Sequence, residues 1–393
     1  MIWINFLHLY QPVNTDPYVI EEATESSYKR LAKLLEANPN LKFSLNITGS
    51  LILRWQELGY TDLIARFKSL LDKGQIELTG SAAYHCLAPL VPWEEFRKQI
   101  RENTKILEEA FGNDLELSGF FLPEMAYSAE VAGLIQEEGF SWLILDEIAY
   151  NLNLGQADTS LVYQDKNSGL KVVLRSREFS NTYVPELILK KLTSKKSSQS
   201  DYLVTATDGE LYGLRHNDPG QVLEKVVKNP SLKTRFVSEF VQVARSGGEV
   251  AFQPCNWESS EDELQAGQPY HSWHNPDNTI QNMTWELARF VYATIESHTT
   301  DPNYHWARWH LVRGFGSCTF WWASARDFGY IYGPFAWSPD EVERGLNELV
   351  RAVRSLEDPS TRSAKLQAEA KYIKIKETLW HKHWESYWKA NLE

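Results

Sequence analysis

Cysteine is scarce in this chain, which has Cys86, Cys255 and Cys318 as its three cysteines among 393 residues. They lie far apart, their number is odd, and no two of them form a Cys-x-x-Cys pair. A disulfide framework and a zinc site built from thiolates are therefore not expected. Free cysteines are typical of a reducing compartment, so we expect a cytoplasmic protein.

The chain also has no excess of positive charge and no long apolar runs. The 40 lysines and arginines stand against 52 acidic residues, which gives a net charge of −12. Nucleic acids and anionic membrane surfaces bind basic proteins, so we expect neither as a partner. The chain has no apolar run of about 18 residues, and residues 1–6 lack a basic segment, so neither a membrane-spanning helix nor a signal peptide is predicted. The oligomeric state is left open.

Aromatic side chains are abundant, at 13% of the residues with 15 tryptophans and 18 tyrosines. Flat, half-polar rings are common where sugars stack, although they also serve protein cores. The composition therefore permits a carbohydrate site without requiring one.

Apolar segments alternate with helical segments over roughly the first 210 residues. Buried strands are predicted at residues 2–8, 42–48, 74–81, 119–122, 141–146, 171–175 and 201–207. Helical periodicity lies between them, most clearly at residues 93–111. This alternation is typical of a parallel β/α barrel or a doubly wound sheet. After about residue 250 the pattern is helical, so we expect a β/α barrel domain at residues 1–268 and a helical domain at residues 269–393.

Polar residues follow several of these strands directly. His8 ends the first strand, Glu124 comes after a strand that Pro123 terminates, and Asp208 follows the last strong strand. In a β/α barrel the carboxyl ends of separate strands face one cavity. The sequence therefore predicts that these side chains share a site.

Glu124 and Asp208 are the two acids that stand out. Paired carboxylates suit cleavage of glycosidic bonds, because one attacks or stabilises the sugar cation and the other delivers a proton. Each acid also has a simpler interpretation. Glu124 could be a solvated helix cap, and Asp208 with Gly209 could form an ordinary turn.

The other polar residues allow several interpretations. Glu77 lies within a strand, where His85 could pair with it or where it could face solvent. A lone histidine such as His8 is more often bonded to a core carbonyl than catalytic. A metal site of His8, His85, Glu124 and Asp208, as in a deacetylase-like barrel, ranks well below the glycosidase interpretation, because the typical paired-histidine motifs are lacking. We expect no metal ion and no other cofactor.

Four motifs occur in a fixed order along the chain. They are His-Leu-Tyr-Gln-Pro at residues 8–12, Gly-Gln-Ile-Glu-Leu-Thr-Gly-Ser at 74–81 with its continuation to Leu90, Gly-Phe-Phe-Leu-Pro-Glu at 119–124, and Asp-Gly-Glu-Leu-Tyr-Gly at 208–213. In this order they resemble glycoside hydrolase family 57, the alpha-amylase-like retaining enzymes that act on alpha-linked glucans. Tyr10 stands where the family's first motif has its second histidine.

The resemblance implies an α/β fold with an incomplete, seven-stranded β/α barrel and a C-terminal helical domain. It implies that Glu124 is the nucleophile and Asp208 the general acid/base. The substrate-binding residues that we predict with it are His8, Gln11, Glu77, His85, Glu210, Trp321 and Trp322. The two tryptophans lie in residues 316–327, which align loosely with the family's fifth motif.

The function that the resemblance implies is a retaining glycoside hydrolase or transglycosylase. Its substrate would be an alpha-linked glucan or oligosaccharide, as for an alpha-amylase, a 4-alpha-glucanotransferase or a branching enzyme. The alternatives are an alpha-galactosidase of the same family and a non-catalytic carbohydrate-binding descendant. The presence of both Glu124 and Asp208 favours an enzyme, because a binding protein does not need both acids.

Overall fold

The structure is a computed structural model that describes residues 1–193, 202–325 and 336–392. Residue 201 of a predicted strand and residues 326–327 of the fifth motif lie outside the described residues. The chain forms two compact units. The first comprises Met1–Gln11, Asp16–Ala83 and Ala88–Gln265, and the second comprises Pro12–Thr15, Tyr84–Leu87 and Ala266–Glu393.

The strands belong to the first unit. They are β1 (Ile2–Leu9), β2 (Phe43–Ile47), β3 (Ile76–Leu78), β4 (Gly119–Phe120), β5 (Trp142–Asp146), β6 (Val162–Asp165), β7 (Lys171–Arg175), β8 (Tyr202–Asp208), β9 (Lys233–Arg235) and β10 (Ser246–Val250). One sheet has the order β3-β2-β1-β8 with β9 also paired to β1, and the other has the order β10-β6-β7-β5-β4. Among these pairs, β6 with β7 is antiparallel and the others are parallel. A parallel bridge between Gly80 and Phe120 joins the ends of β3 and β4.

Helices connect the strands of the first unit. They are α1 (Pro17–Ala23), α2 (Lys29–Ala37), α3 (Gly49–Glu57), α4 (Thr61–Asp72), α5 (Trp93–Phe111), α6 (Ala129–Glu137), α7 (Arg177–Ser180), α8 (Val184–Thr193), α9 (Val222–Val227), α10 (Val237–Val243) and α11 (Glu261–Gln265). The predicted helix at residues 93–111 is confirmed by α5. The chain is thus an α/β fold, with parallel strands and many helices.

The second unit is built on helices. They are α12 (Thr279–Glu296), α13 (Tyr304–Gly314), α14 (Cys318–Trp321), α15 (Pro339–Ser355) and α16 (Arg362–Leu392). Its core includes a stacked pair, Trp285 and Phe320, whose ring centroids lie 3.6 Å apart. Within the described parts of both units, every helix is too short or too polar to cross a bilayer.

The core of the first unit explains why its strands have continuous apolar sequences. Every residue of β1 except Ile2 is buried, as expected for a parallel strand that is covered on both faces. Ile4 and Phe6 of β1 pack in one cluster with residues of β5, β7 and β8, and with Val237 and Phe240 of α10. Full burial of one such side chain stabilises the fold by roughly 1.5–3 kcal/mol.

Several strands differ from the predictions: β3 spans Ile76–Leu78 rather than residues 74–81, and β9 and β10 were not predicted. The predicted strand at residues 119–122 pairs over Gly119–Phe120 alone, because Pro123 cannot donate to a ladder and a 3₁₀ turn begins there. Strand β6 was not predicted, since its Val-Tyr-Gln-Asp sequence is short and half polar and gives little periodic signal.

Gly119 provides a test of the packing that places β4. A Cβ atom on Gly119 would lie 2.0 Å from Cζ2 of Trp142, so the tryptophan or the strand would have to move. We expect Gly119→Ala to lower the free energy of unfolding by about 1–3 kcal/mol in urea titrations. Gly133 in α6 is the matched control, because a Cβ there meets nothing within 4 Å. Gly133→Ala should raise stability by about 0.5–1 kcal/mol, and equal effects in the two variants would contradict the packing.

Candidate active site

His8 and Asp208 lie side by side at the end of two neighbouring strands. They are direct partners in the parallel register of β1 and β8, so their side chains leave the sheet on the same face. Asp208 also begins the 3₁₀ turn Gly209–Tyr212. Arg215 Nη1 donates to Asp208 Oδ2 at 2.6 Å, and the arginine side chain is 51% exposed. The predicted acid therefore lies at a partly open strand end.

Glu124 lies in a strained turn directly after β4. Its φ is +60°, and the φ of Met125 is +49°. Residues other than glycine rarely adopt this left-handed region, and when they do they cluster at functional sites. Pro123 starts the turn, and Met125 anchors it because its side chain is fully buried. The surrounding structure therefore holds the backbone at Glu124 in a strained conformation, which fixes the position of this carboxylate.

Trp257 binds Glu124 at two points. Its indole Nε1 donates to Glu124 Oε2 at 2.9 Å, and its backbone N–H donates to the Glu124 carbonyl oxygen at 3.0 Å. Arg175 fixes the tryptophan in turn, because its guanidinium lies 5.2 Å from the ring centroid and donates to the Trp257 carbonyl at 3.0 Å. Trp257 was not predicted from the sequence. The available signal was a tryptophan in a polar segment shortly after β10.

Aromatic contacts connect the surroundings of the two acids. The His8 ring stacks on Phe121, three residues before Glu124, with 4.5 Å between ring centroids. It also meets the Trp257 ring edge-on at 6.1 Å. His8 is the register partner of Asp208, and Trp257 is bonded to Glu124. The rings of His8, Phe121 and Trp257 therefore form one cluster that adjoins both predicted catalytic acids.

His8 is a neutral group in this cluster. Burial lowers its pKa to about 4, although the nearby charge of Asp208 acts in the opposite direction. Its Nδ1 atom lies 2.8 Å from Asn46 Oδ1, which fixes the orientation of the ring. A neutral imidazole beside two carboxylates suits hydrogen bonding to a ligand better than charge pairing.

Glu210 and Gln11, both predicted to bind substrate, contact each other. Gln11 Nε2 donates to Glu210 Oε1 at 2.7 Å, and the Tyr28 hydroxyl donates to the same oxygen. Burial raises the pKa of Glu210 to about 7, the charge of Asp208 raises it further, and Arg215 opposes both. The structure thus brings Glu210 and Gln11 close to Asp208, with the Glu210 carboxyl oriented by a tyrosine and an amide.

Glu77 has a different environment. Its carboxylate accepts hydrogen bonds from Ser44 Oγ at 2.5 Å, from the Ser238 backbone N–H at 3.2 Å and from the Ser238 hydroxyl. These partners lie on β2 and at the N-terminus of α10, and the Glu77 side chain is half-buried. The contacts favour the structural role that the sequence left open, and substrate binding by Glu77 stays a prediction.

The remaining predicted residues belong to the second unit. His85 Nδ1 lies 2.9 Å from Ser317 Oγ, and the His85 carbonyl accepts from the Ser317 N–H at 2.9 Å. Trp321 and Trp322 are half-buried and have ring centroids 4.8 Å apart. Their roles in substrate binding stay predictions. Across residues 1–193, 202–325 and 336–392, no three histidine, cysteine or acidic side chains form a group that could hold a metal ion.

Comparison with known proteins assigns most of the first unit to one family. A family model described as glycosyl hydrolase family 57 matches residues 4–251. Alpha-amylase 1 of Dictyoglomus thermophilum is 26% identical over 217 residues, which are 53% of this chain and 31% of that protein. The chain spans about a third of the length of the curated relatives that it matches.

Solved structures extend the likeness to nearly the whole chain. The 4-alpha-glucanotransferase from Thermococcus litoralis has a TM-score of 0.71 at 17% identity, over 91% of this chain and 60% of that one. The GH57-type branching enzyme from Pyrococcus horikoshii has a TM-score of 0.69 at 16% identity, over 94% of each chain. At these identities the likeness concerns the fold.

The burial of His8 predicts a pH-dependent stability. Its pKa is about 4 in the folded protein, because of burial, against an ordinary value of 6.5. Between these values the unfolded chain binds a proton at His8 and the folded protein does not, so stability falls as the pH falls from 6.5 towards 4. His8→Gln should remove up to about 3 kcal/mol of this dependence.

Urea unfolding at neutral pH and near pH 4.5 measures the dependence on His8. His381→Gln is the control, because it removes an exposed histidine and should leave the dependence as in the wild type. A wild-type pH dependence in the His8→Gln protein would contradict the prediction.

Proposed function

The chain belongs to glycosyl hydrolase family 57, and we propose that it cleaves or transfers alpha-linked glucan chains with retention of the anomeric configuration. The observation that carries this proposal is the strained turn at Glu124, whose carboxylate Trp257 orients within the cluster around His8 and Asp208. The relatives named alpha-amylase and 4-alpha-glucanotransferase support a glucan substrate rather than a galactoside. Both an enzymatic activity and its substrate are therefore expected at this cluster.

In the proposed mechanism Glu124 is the nucleophile. The Trp257 N–H holds Oε2 of the carboxylate in place while the carboxylate attacks the anomeric carbon. The bond from that carbon to the leaving oxygen breaks as Asp208 gives this oxygen a proton. In the second step the oxygen of water or of an acceptor hydroxyl attacks the anomeric carbon, and the bond from this carbon to Glu124 breaks. Asp208 takes the proton of the attacking group, so Glu124 is again a carboxylate and Asp208 is again protonated. Two displacements at one carbon give retention.

The ion pair between Arg215 and Asp208 bears on how Asp208 reaches the substrate. A general acid gives its proton to the leaving oxygen of the substrate, whereas in the free protein Asp208 Oδ2 accepts a hydrogen bond from Arg215 Nη1. The half-exposed arginine side chain is free to be displaced by an entering sugar. We therefore expect the Arg215–Asp208 pair to open when substrate binds.

The finer architecture is also part of the proposal. Seven parallel strands in the order β8-β1-β2-β3-β4-β5-β7 would form an incomplete barrel. The Gly80–Phe120 bridge supports the passage from β3 to β4, and the hydrogen bond from the Ser176 N–H to the Val204 carbonyl supports the approach of β7 to β8. We retain residues 1–268 as the barrel domain, residues 269–393 as the helical domain, and a cytoplasmic location.

Loss of the nucleophile tests the function. Glu124→Gln keeps the size of the side chain but removes the attacking charge, so turnover of maltooligosaccharides should fall by several orders of magnitude while the melting temperature stays close to that of the wild type. Glu130→Gln is the matched control, since it removes an exposed carboxylate six residues away and should keep wild-type turnover. Chromatography of the products distinguishes hydrolysis from transfer to a second sugar.

The stereochemistry of the first product tests the mechanism. Proton NMR during the initial turnovers should show the alpha anomer before mutarotation. A beta anomer as the first product would contradict the double displacement, and near-normal turnover of Glu124→Gln would contradict the assignment of the nucleophile.

Trp257→Phe tests the residue that the sequence missed. Phenylalanine keeps an aromatic ring for Arg175 but removes the N–H that orients Glu124. A hydrogen bond to a charged group contributes about 1.5–3 kcal/mol, so kcat/KM for maltooligosaccharides should fall by roughly 10- to 150-fold. Unchanged kcat/KM would show that the indole N–H does not assist the nucleophile.

A further inference from the structure

Residues 255–259 form a segment whose backbone is fixed on both sides of Glu258. Trp257, just before it, is bonded to the predicted nucleophile through both its ring and its backbone. Ser259, just after it, has its carbonyl oxygen 2.7 Å from Arg177 Nη1, which donates to it. Glu258 is therefore presented beside the reactive centre by a backbone with little freedom to move.

The Oε2 atom of Glu258 is buried and lacks a hydrogen-bond partner among the residues that the structure describes. A buried polar atom without a partner costs about 1–3 kcal/mol. Such atoms are rare in native proteins, and each requires a physical explanation. A ligand that brings its own polar groups provides one.

The burial of Glu258 favours its neutral form. Burial, with the nearby charge of Asp208 as the second cause, raises the pKa of Glu258 to about 7, although Arg175, Arg215 and Arg177 act in the opposite direction. Near pH 7 a large share of the Glu258 carboxyl groups therefore carries a proton. A protonated carboxyl group both donates and accepts a hydrogen bond.

We propose that Glu258 is a further substrate-binding residue, whose neutral carboxyl group exchanges hydrogen bonds with a hydroxyl group of the sugar held beside Glu124. This inference rests on the proposed function. Sugar hydroxyl groups also both donate and accept, so one hydroxyl matches one protonated carboxyl group. Glu258 transfers no proton in the reaction and contributes to binding the sugar.

Binding of maltopentaose to proteins that carry Glu124→Gln tests the proposal, because this background prevents turnover. Isothermal titration compares this baseline protein with versions that also carry Glu258→Gln or Glu258→Met. Glutamine keeps a neutral donor and acceptor, so its Kd should stay within about threefold of the baseline. Methionine keeps the length of the side chain without its polar atoms, so binding should weaken about tenfold or more. Asp262→Asn is the control, since it removes an exposed charge four residues away and should bind as the baseline does.

Stability separates substrate binding from a structural role. Because Glu258 Oε2 lacks a partner among the described residues of the free protein, Glu258→Met should leave the melting temperature unchanged or raise it. A lower melting temperature with baseline affinity for maltopentaose would assign a structural role to Glu258 and overturn the proposal.

The pH dependence tests the neutral form. Baseline affinity should weaken as the pH rises through about 7, because Glu258 then loses its proton. Glu258→Gln should reduce this weakening, and an unaltered pH dependence would contradict binding by the protonated group.

A baseline protein that does not bind maltopentaose, together with a wild type that does not act on it, would contradict the proposed function itself. Baseline binding that Glu258→Met leaves unchanged would contradict this inference alone.

Discussion

The double attachment of Trp257 to Glu124 is the interaction on which the candidate active site depends. A glutamate keeps a left-handed backbone conformation only where the surrounding structure stabilises it. Here the hydrogen bonds from the indole and backbone N–H groups of Trp257 stabilise it. Trp257 is in turn held by Arg175, through its carbonyl and through its ring. The orientation of the predicted nucleophile therefore depends on a strand that lies far from it in sequence.

Arg175 is fixed by a buried ion pair. Its Nε atom donates to Asp146 Oδ2 at 2.7 Å, and Arg177 Nε donates to Asp146 Oδ1 at 2.9 Å. Burying these charges costs desolvation that the attraction only partly offsets, so the pair gives little net stability. Its contribution is positional, because one arginine binds the Trp257 carbonyl and the other binds the Ser259 carbonyl. The ion pairs of Asp146 thus connect β5, β7 and α7 to the residues on both sides of Glu258.

The sequence predicted the features that depend on local pattern. Strand β1 has a continuous apolar sequence and helix α5 a long periodic one, and both were confirmed close to their predicted bounds. The sequence did not predict the role of Trp257, because the contact with Glu124 joins residues 133 positions apart and has no local signal. Glu77 shows the same limit, since its serine partners on β2 and α10 become visible only when the strands are paired.

Glu210 and Glu258 both lie near Asp208, but they differ in their hydrogen-bond partners. Asp208 raises the pKa of both Glu210 and Glu258, after the larger effect of burial, and each reaches about 7. The negative charge of Asp208 therefore favours a proton on each of these two carboxyl groups. Glu210 is bonded to Tyr28 and Gln11, which use one of its oxygens within the protein. The Oε2 atom of Glu258 has no such partner in the described residues, so its carboxyl group is the one left to meet a sugar.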